Sequence, residues 1–504
     1  MSLGRPGVRA MRWSALTGAA RLLLQMAAQV ALARLLGPQA FGLFAIGMVV
    51  LTLAGFVAGF GLSWSLMQRA EIDEQDIRFA WTWQLLAGLL AVLALQALAP
   101  VLAGAFKEPA AESVIRWLSL SCLLQAATAP ATCLLTRALN FRALGLIQLG
   151  SYLVGYGGVG IGLAWAGLGV HALVAAWLVQ AAVALLASLS ACRHPMMPLL
   201  WYARAGQTLA TGQAVFLTNL VNWSLANLDR VLIGRLLGTW SLGLYNVAYN
   251  LASVPNSVLL GALQPAFLAA GAQMQGQGSR LAQAYLQMLA TLLVVAVPVF
   301  GVAALLAQDL VQLLYGVQWR AAGPVLAWLL AFMPALAIWG ISTPILWNTG
   351  RRQHEWALQL PLIAIGALAI WAVAPWGIEA AASAAALLLL SRALLLVGAA
   401  LSALHLSWWE LAPQAWRSLW LTSAAVGLSW AAQSLLPGSS APLLRLLAGA
   451  LAPACALALL LYTRPAWLAS CLGPQAWAMV LRFAPLLHRP VGARMALPNP
   501  SHRT

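Results

Sequence analysis

Apolar residues run along this chain in long stretches, each about as long as a helix that crosses a lipid bilayer. A membrane-spanning helix needs about 20 mainly apolar residues. Charged or Pro/Gly-rich breaks divide the chain into fourteen such stretches, so the pattern predicts an all-α, polytopic membrane protein with about 14 transmembrane helices. The predicted spans are 14–36, 41–66, 79–100, 113–135, 144–166, 169–191, 208–236, 241–268, 284–307, 324–347, 357–376, 379–403, 418–436 and 443–462.

One segment of the sequence occurs twice. Residues 33–44 read ARLLGPQAFGLF and residues 234–245 read GRLLGTWSLGLY. Each copy belongs to a set of six spans, and an even number of spans places both copies the same way up in the membrane. The repeat therefore predicts two pseudosymmetric six-helix lobes followed by two unpaired spans.

This organisation gives five predicted parts of the chain. They are an N-terminal lobe at 1–191, a cytoplasmic linker at 192–207, a second lobe at 208–404, two additional transmembrane helices at 405–463 and a basic cytoplasmic tail at 464–504.

Composition and charge fix the orientation. Hydrophobic residues make up 62% of the chain and charged residues 8%, and the net charge is +16. Basic residues near span ends are retained on the cytoplasmic side. With both termini inside, the cytoplasmic segments hold Arg5, Arg9, Arg12, Arg69, Arg78, Arg137, Arg142, Arg193, Arg204, Arg280, Arg351, Arg352, Arg417 and five tail arginines, whereas the outer segments hold only Lys107, Arg116, Arg320 and Arg445. The positive charge thus reflects topology, and no nucleic acid partner is expected.

Polar residues inside the spans are the main candidates for function. A charged side chain at mid-membrane is costly and commonly faces a wet cavity or an ionic partner. Apart from Arg116, Glu379 and Arg445 in the first residues of their spans, the charged groups within predicted spans are Arg21, Arg34, Asp229, Arg230, Arg235 and Arg392. With amides that share their helix faces, they give a predicted substrate-binding set of Arg21, Gln25, Gln29, Asn219, Asn222, Asp229, Arg230 and Arg392. The alternative is that Asp229 neutralises an arginine and the amides bond to neighbouring helices.

The repeated turn supplies a second set of candidates. Arg34, Gly37 and Gly42 in the first copy match Arg235, Gly238 and Gly243 in the second, at the predicted outer ends of the helices. Glycine can end a helix or allow close backbone approach, so both a structural role and a gating role stay open for these six residues.

Several enzyme classes are not supported. A P-loop needs a lysine between glycine and Ser or Thr, but the only lysine, Lys107, lies in AFKEP. No H-E-x-x-H or C-x-x-C motif occurs, so no catalytic residue, metal or cofactor is predicted. The acidic stretch at 71–76 is interpreted as a solvated loop.

The segment NLDRVLIGRLLGTWSLGLYNVAYNLASVP at 227–255 resembles polysaccharide and O-antigen (Wzx-like) flippases of the multidrug/oligosaccharidyl-lipid/polysaccharide exporter superfamily. LLTRALNFRA at 134–143 and LLYGVQWRAAGPVLAWL at 313–329 extend the resemblance over the first twelve spans. It implies that the protein exports polyprenyl-pyrophosphate-linked oligosaccharide across the bacterial inner membrane, with a polymerase and glycosyltransferases as candidate partners beside membrane lipids.

Two other functions stay open from the sequence. A drug exporter of the same superfamily is expected to need several intramembrane carboxylates, and only Asp229 is evident. A non-transporting scaffold for polysaccharide assembly has no need of a charged interior. An excess of arginine, whose planar group binds phosphate oxygens in pairs, favours an anionic cargo.

Overall fold

Every regular element of the described chain is helical. The computed structural model describes residues 5–59, 66, 71–202, 205–273, 278–349, 352–437 and 440–464. The helices are α1 Arg5–Gly59, α2 Glu74–Ala105, α3 Ala110–Arg137, α4 Phe141–Tyr152, α5 Ile161–Trp165, α6 Val170–Ala191, α7 Ala205–Gln273, α8 Gly278–Leu305, α9 Ala307–Tyr315, α10 Ala322–Phe332, α11 Pro334–Asn348, α12 Arg352–Val373, α13 Ile378–Ala403, α14 Ala412–Ser434 and α15 Pro442–Thr463. A π-helical segment, Leu153–Gly160, joins α4 to α5. The all-α prediction is confirmed.

The predicted spans coincide with these helices. Each of the fourteen apolar stretches overlaps a described helix, and α1 and α7 each overlap two of them. Among the described residues, ten helical runs have the length and apolar composition of a membrane span. The protein is therefore a multi-pass membrane protein, whereas the count of fourteen spans stays a prediction.

Helix α7 reverses direction at Gly238. This glycine has a φ of 81° and a ψ of 178° within an otherwise helical run. Asp229 and Tyr245 lie 16 residues apart and are joined by a hydrogen bond. In a straight helix they would be separated by about 24 Å at a rise of about 1.5 Å per residue. The two halves of α7 therefore form a helical hairpin.

Helix α1 contains the same backbone feature at the matching position of the repeat. Gly37 has a φ of 72° and a ψ of 175°, and Pro38 follows it directly. Positive φ values of this size favour glycine, because any other residue would bring its Cβ against the backbone. The sequence repeat thus corresponds to a repeated reversal of the chain.

Two compact units can be distinguished. The first comprises Met1–Asn250, Leu314–Ala322 and Leu360–Ala385, and the second comprises Leu251–Leu313, Gly323–Gln359 and Ala386–Thr504. Within the second unit α8 packs on α14, where the hydroxyl of Ser418 donates to the carbonyl of Leu293 at 2.6 Å. These compact units do not coincide with the two lobes that the sequence repeat predicts. The boundaries of the lobes therefore stay a prediction.

The predicted inter-lobe linker has no regular secondary structure from 193 to 202 and is attached to the start of α2. Met197 and Leu200 accept hydrogen bonds through their carbonyls from Arg78 and Trp83, at 3.1 and 3.0 Å. Residues 203–204 of the linker and residues 465–504 of the tail lie outside the described residues.

The interpretation of 71–76 as a solvated loop is wrong at its end. Asp73 caps α2, and its side chain accepts a hydrogen bond from the backbone of Asp76. Asp76 is only 1% exposed and accepts a hydrogen bond of 2.5 Å from the hydroxyl of Tyr202. A buried carboxylate requires such partners because its loss of hydration is costly.

Candidate functional site

The helical hairpin of α7 assembles a buried polar cluster. Asp229, on the first half, is 9% exposed. Its carboxylate accepts a hydrogen bond from the hydroxyl of Tyr245 on the second half and another, of 2.8 Å, from the backbone N–H of Arg230. Tyr245 is completely buried. The reversal at Gly238 therefore brings an acid and a phenol together from the two halves.

The guanidinium of Arg230 has different partners from the neighbouring carboxylate. It lies over the ring of Tyr249, 4.4 Å from the ring centre, and its Nη1 donates to Asn227 at 3.2 Å. Its Nε is buried and makes no hydrogen bond to any described residue. A cation held over an aromatic face is stabilised by about 0.5–2 kcal/mol, and Arg230 is half-buried. The arrangement leaves a buried donor on a permanently charged group.

Three predicted residues of α1 occupy half-buried positions in the same unit. Arg21 donates through Nη1 to the amide oxygen of Gln148 on α4, at 2.8 Å. Gln29 donates to the hydroxyl of Tyr315 at 3.2 Å. Burial raises the pKa of Tyr315 above its ordinary value, so this phenol stays protonated. Gln25 is half-buried on the same helix.

The two predicted asparagines precede the cluster on α7. Asn222 is half-buried and makes polar contacts. The neighbouring Trp223 donates to Thr52 on α1 at 3.0 Å, so this part of α7 is attached to the first repeat. The side chain of Asn219 lies outside the described residues.

Arg392 occupies a separate place, in the second unit. It is 6% exposed, and its Nε donates to the amide oxygen of Gln359 at 2.6 Å. Its guanidinium lies over the ring of Trp339, 3.9 Å from the ring centre. Its contacts thus include an amide and an indole, and a role in binding cargo stays a prediction for this residue.

The glycines of the repeated turn have two different structural uses. Gly37 and Gly238 have positive φ values at the reversals. The backbones of the two repeats cross at Gly42 and Gly243. A Cβ added to Gly42 would overlap the carbonyl of Thr239, and one added to Gly243 would overlap the carbonyl of Pro38.

The two arginines of the turn also differ. Arg34 donates through Nε to the carbonyl of Leu314 at 2.8 Å. Arg235, at the matching position, is exposed like Arg34, but its neighbour on the other side of the turn is Thr239, whose described partner is Glu108 and not the segment at 314. Sequence repetition therefore does not imply equivalent contacts at these two positions.

Sequence reasoning missed several residues that contact the predicted ones. Gln148 and Tyr315 are separated from their α1 partners by 127 and 286 positions. Tyr315 falls within the segment 313–329 that carried part of the family resemblance, so that motif was the available signal. No comparable motif marked Gln148.

The sequence matches a family described as polysaccharide biosynthesis protein, over residues 31–324. Lipopolysaccharide biosynthesis protein WzxC of Escherichia coli K12 is 25% identical over 332 residues, which cover 65% of this chain and 66% of WzxC, slightly less than two thirds. Succinoglycan biosynthesis transport protein ExoT of Rhizobium meliloti is 28% identical over 368 residues, covering 72% of this chain and 74% of ExoT.

Solved structures resemble the fold. Lipid II flippase MurJ, in an inward closed conformation, aligns with a TM-score of 0.71 at 12% identity, over 88% of this chain and 97% of the other. An inward-facing multidrug resistance MATE family transporter of the MOP superfamily aligns with a TM-score of 0.57 at 15% identity, over 76% and 94%. Because the matched family covers more than half of the chain, the protein belongs to the family of polysaccharide biosynthesis proteins.

Proposed function

We propose that this protein is a flippase that moves polyprenyl-pyrophosphate-linked oligosaccharide repeat units from the cytoplasmic to the periplasmic leaflet by alternating access. The observation that carries the proposal is the buried arginine-containing cluster of α7 in a member of this family. The names of the relatives, which include a transport protein for succinoglycan and a lipid II flippase, support the same class of cargo.

The chemistry of the arginines favours an anionic cargo. Arginine stays protonated at every accessible pH and presents several N–H donors in one plane. Arg230 is fixed over Tyr249, and its Nε has no protein partner among the described residues. A pyrophosphate oxygen would supply an acceptor and a counter-charge together. Arg21, held by an amide, is the second candidate for this contact.

The crossing of Gly42 and Gly243 is the candidate outer gate. Both residues lie just beyond the reversals, at the ends of the repeated helices that the charge pattern predicts to face outward. Backbones that approach this closely leave no space for a substrate between them. In the proposed cycle the crossing separates when cargo leaves toward the periplasm.

The proposal places the protein in the bacterial inner membrane with both termini in the cytoplasm. The arginine bias of the connections supports this orientation. A polysaccharide polymerase and glycosyltransferases are the proposed functional partners. The glycosyltransferases supply the lipid-linked unit, and the polymerase consumes it.

Complementation of a flippase-deficient strain with arginine variants tests the function. Arg21→Ala and Arg230→Ala should abolish or greatly reduce polysaccharide export while the protein remains in the membrane. Arg230→Lys should rescue export only in part, because an ammonium lacks the planar pair of donors. Protein abundance in the membrane fraction is measured in parallel.

The matched control is Arg116→Ala. Arg116 is a largely exposed arginine that pairs with Glu112 at 2.8 Å, and surface pairs of this kind contribute little. Export by the Arg116→Ala variant should equal export by the unmodified protein. Full export by both Arg21→Ala and Arg230→Ala would exclude binding of pyrophosphate by these arginines. Failure of the unmodified protein to complement, together with increased drug resistance, would favour the drug-exporter alternative.

A further inference from the structure

The end of the first half of α1 includes a carbonyl that has no N–H donor four residues later. In an α-helix each carbonyl accepts from the N–H four residues later. The carbonyl of Arg34 would pair with residue 38, but Pro38 has no N–H. The carbonyl of Ala33 lies one residue earlier, four residues before the interruption at Gly37. The carbonyl of Arg34 therefore needs a donor from elsewhere, and the carbonyl of Ala33 has a lone pair for a second donor.

The segment Leu314–Trp319 supplies those donors. Gln318 donates through Nε2 to the carbonyls of Ala33 and Arg34, at 3.1 and 3.0 Å. Trp319 donates through its indole N–H to the carbonyl of Ala33 at 2.9 Å. In return the side chain of Arg34 donates to the carbonyl of Leu314 at 2.8 Å. The contact is therefore reciprocal between the two segments.

Packing fixes the same segment in place. Trp319 is completely buried, and its ring meets the edge of Phe41, just beyond the reversal, at a centroid distance of 5.6 Å. Tyr315 lies 5.9 Å from the same indole and accepts a hydrogen bond from Gln29. Both sides of the reversal at Gly37 are thus held by one short segment.

The second reversal is held differently. Pro38 of the first repeat corresponds to Thr239 in the second, and threonine retains its backbone N–H. The missing N–H is therefore specific to the first repeat. Thr239, which is buried, donates through its hydroxyl to Glu108 at 2.9 Å. A carboxylate at the beginning of a helix also interacts favourably with the helix dipole. Only the first reversal depends on donors from 314–319.

We propose that residues 314–319 form an outer latch, which holds the first helical hairpin in the position that closes the outer gate and releases it once in each transport cycle. The chain on both sides of the segment 314–322 belongs to the second compact unit, whereas the segment itself belongs to the first. The latch is therefore joined along the chain to the second unit at both of its ends, and it is held to Ala33 and Arg34 by hydrogen bonds. Gln318 and Trp319 act as positioning residues for the gate, and this role rests on the proposed flippase function.

Removing the hydrogen-bond donors of the latch tests whether the latch keeps the outer gate closed. This test needs no transport assay. In a cysteine-free background with Asn222→Cys, a membrane-impermeant maleimide is applied from the periplasmic side. Gln318→Leu combined with Trp319→Phe should increase labelling about fivefold or more, because the lost hydrogen bonds are each worth about a factor of five. Trp319→Phe alone keeps an aromatic ring and should give a smaller increase. Unchanged labelling of the double variant at normal abundance would overturn the latch.

A crosslink tests the release. Arg34→Cys with Gln318→Cys is joined by a short bifunctional thiol reagent with a reducible bond. The control pair is Gln96→Cys with Ser119→Cys, on α2 and α3, whose native side chains are 3.2 Å apart. Relative to the same variants before crosslinking, export should stop in the first crosslinked pair, return to its starting level on reduction, and continue in the crosslinked control. Export by a fully crosslinked 34–318 pair would show that the latch never opens.

The two proposals fail in different ways. If the reduced variants and the unmodified protein all lack export of lipid-linked oligosaccharide, the flippase function is wrong. The labelling of position 222 still reports whether the latch closes the outer side, since that measurement requires no cargo.

Discussion

Alanine at the crossing glycines should open the outer side, whereas alanine at a reversal glycine should only reduce stability. In Gly243→Ala the new Cβ would lie 2.7 Å from the carbonyl carbon of Pro38 and 3.0 Å from the nitrogen of Gly42. All of these are backbone atoms, so no side-chain rotation can relieve the overlap. The two helices must move apart.

Overpacking of this kind typically costs about 1–3 kcal/mol. If only the closed state contains the crossing, that cost shifts the equilibrium toward the open state by about 5- to 150-fold. Gly42→Ala should behave in the same way, because its Cβ would lie 2.6 Å from the carbonyl carbon of Thr239.

Gly238→Ala is the matched control in the same hairpin. Its φ of +81° penalises a side chain by about 1–2 kcal/mol, but no atom lies within 4 Å of the added Cβ. The cost therefore lowers the melting temperature without separating the repeats.

Two assays distinguish these effects. Thermal unfolding in detergent measures the stability of all three variants, and periplasmic labelling of Asn222→Cys measures the opening. Labelling should rise for Gly42→Ala and Gly243→Ala and stay constant for Gly238→Ala. Equal labelling in all three variants, at normal abundance, would refute the gating role of the crossing and leave a purely structural role.

Further predictions concern topology and the buried carboxylates of Asp76 and Asp229. Reporter fusions at both ends of the chain should show cytoplasmic termini, and a periplasmic C-terminus would contradict the fourteen-span count. Tyr245→Phe removes the hydroxyl donor of Asp229 and should reduce stability by about 1.5–3 kcal/mol, as expected for a hydrogen bond to a charged group; an unchanged unfolding midpoint would argue against the bond. Tyr202→Phe should weaken the linker contact with Asp76 similarly, and a double-mutant cycle with Asp76→Asn should give a coupling energy clearly different from zero.

The fold followed closely from hydrophobic patterning. Apolar stretches of about 20 residues located the helices because a bilayer fixes their length. The repeated turn at Gly37 and Gly238 indicated its own reversal, since glycine there permits a left-handed conformation. These are local properties of a short segment, and a sequence shows them directly.

The candidate site was predicted only in part. The cluster of Asp229 and Arg230 was visible as charge within an apolar stretch, but its partners depend on how the hairpin closes. The latch joins residues about 285 positions apart, and the need for it arises from a missing N–H at Pro38. Arg392 had the same sequence signal as Arg21, yet its partners, Gln359 and Trp339, lie in the second unit. Such long-range pairing is not encoded in a periodic pattern.

The acceptors at Ala33 and Arg34 also have a consequence for biogenesis. Their donors on Gln318 and Trp319 are translated about 285 residues later. Synthesis proceeds at roughly 5–20 residues per second. The first hairpin is therefore present in the membrane for roughly 15–60 seconds before the donors for its backbone carbonyls have been synthesised. During that interval water or an insertion factor at the membrane surface must satisfy the carbonyl of Arg34, because apolar lipid offers no donors. Nascent chains that end before Leu314 should accordingly expose position 33, which is completely buried in the full chain, to aqueous reagents, and those extended well beyond Trp319 should protect it.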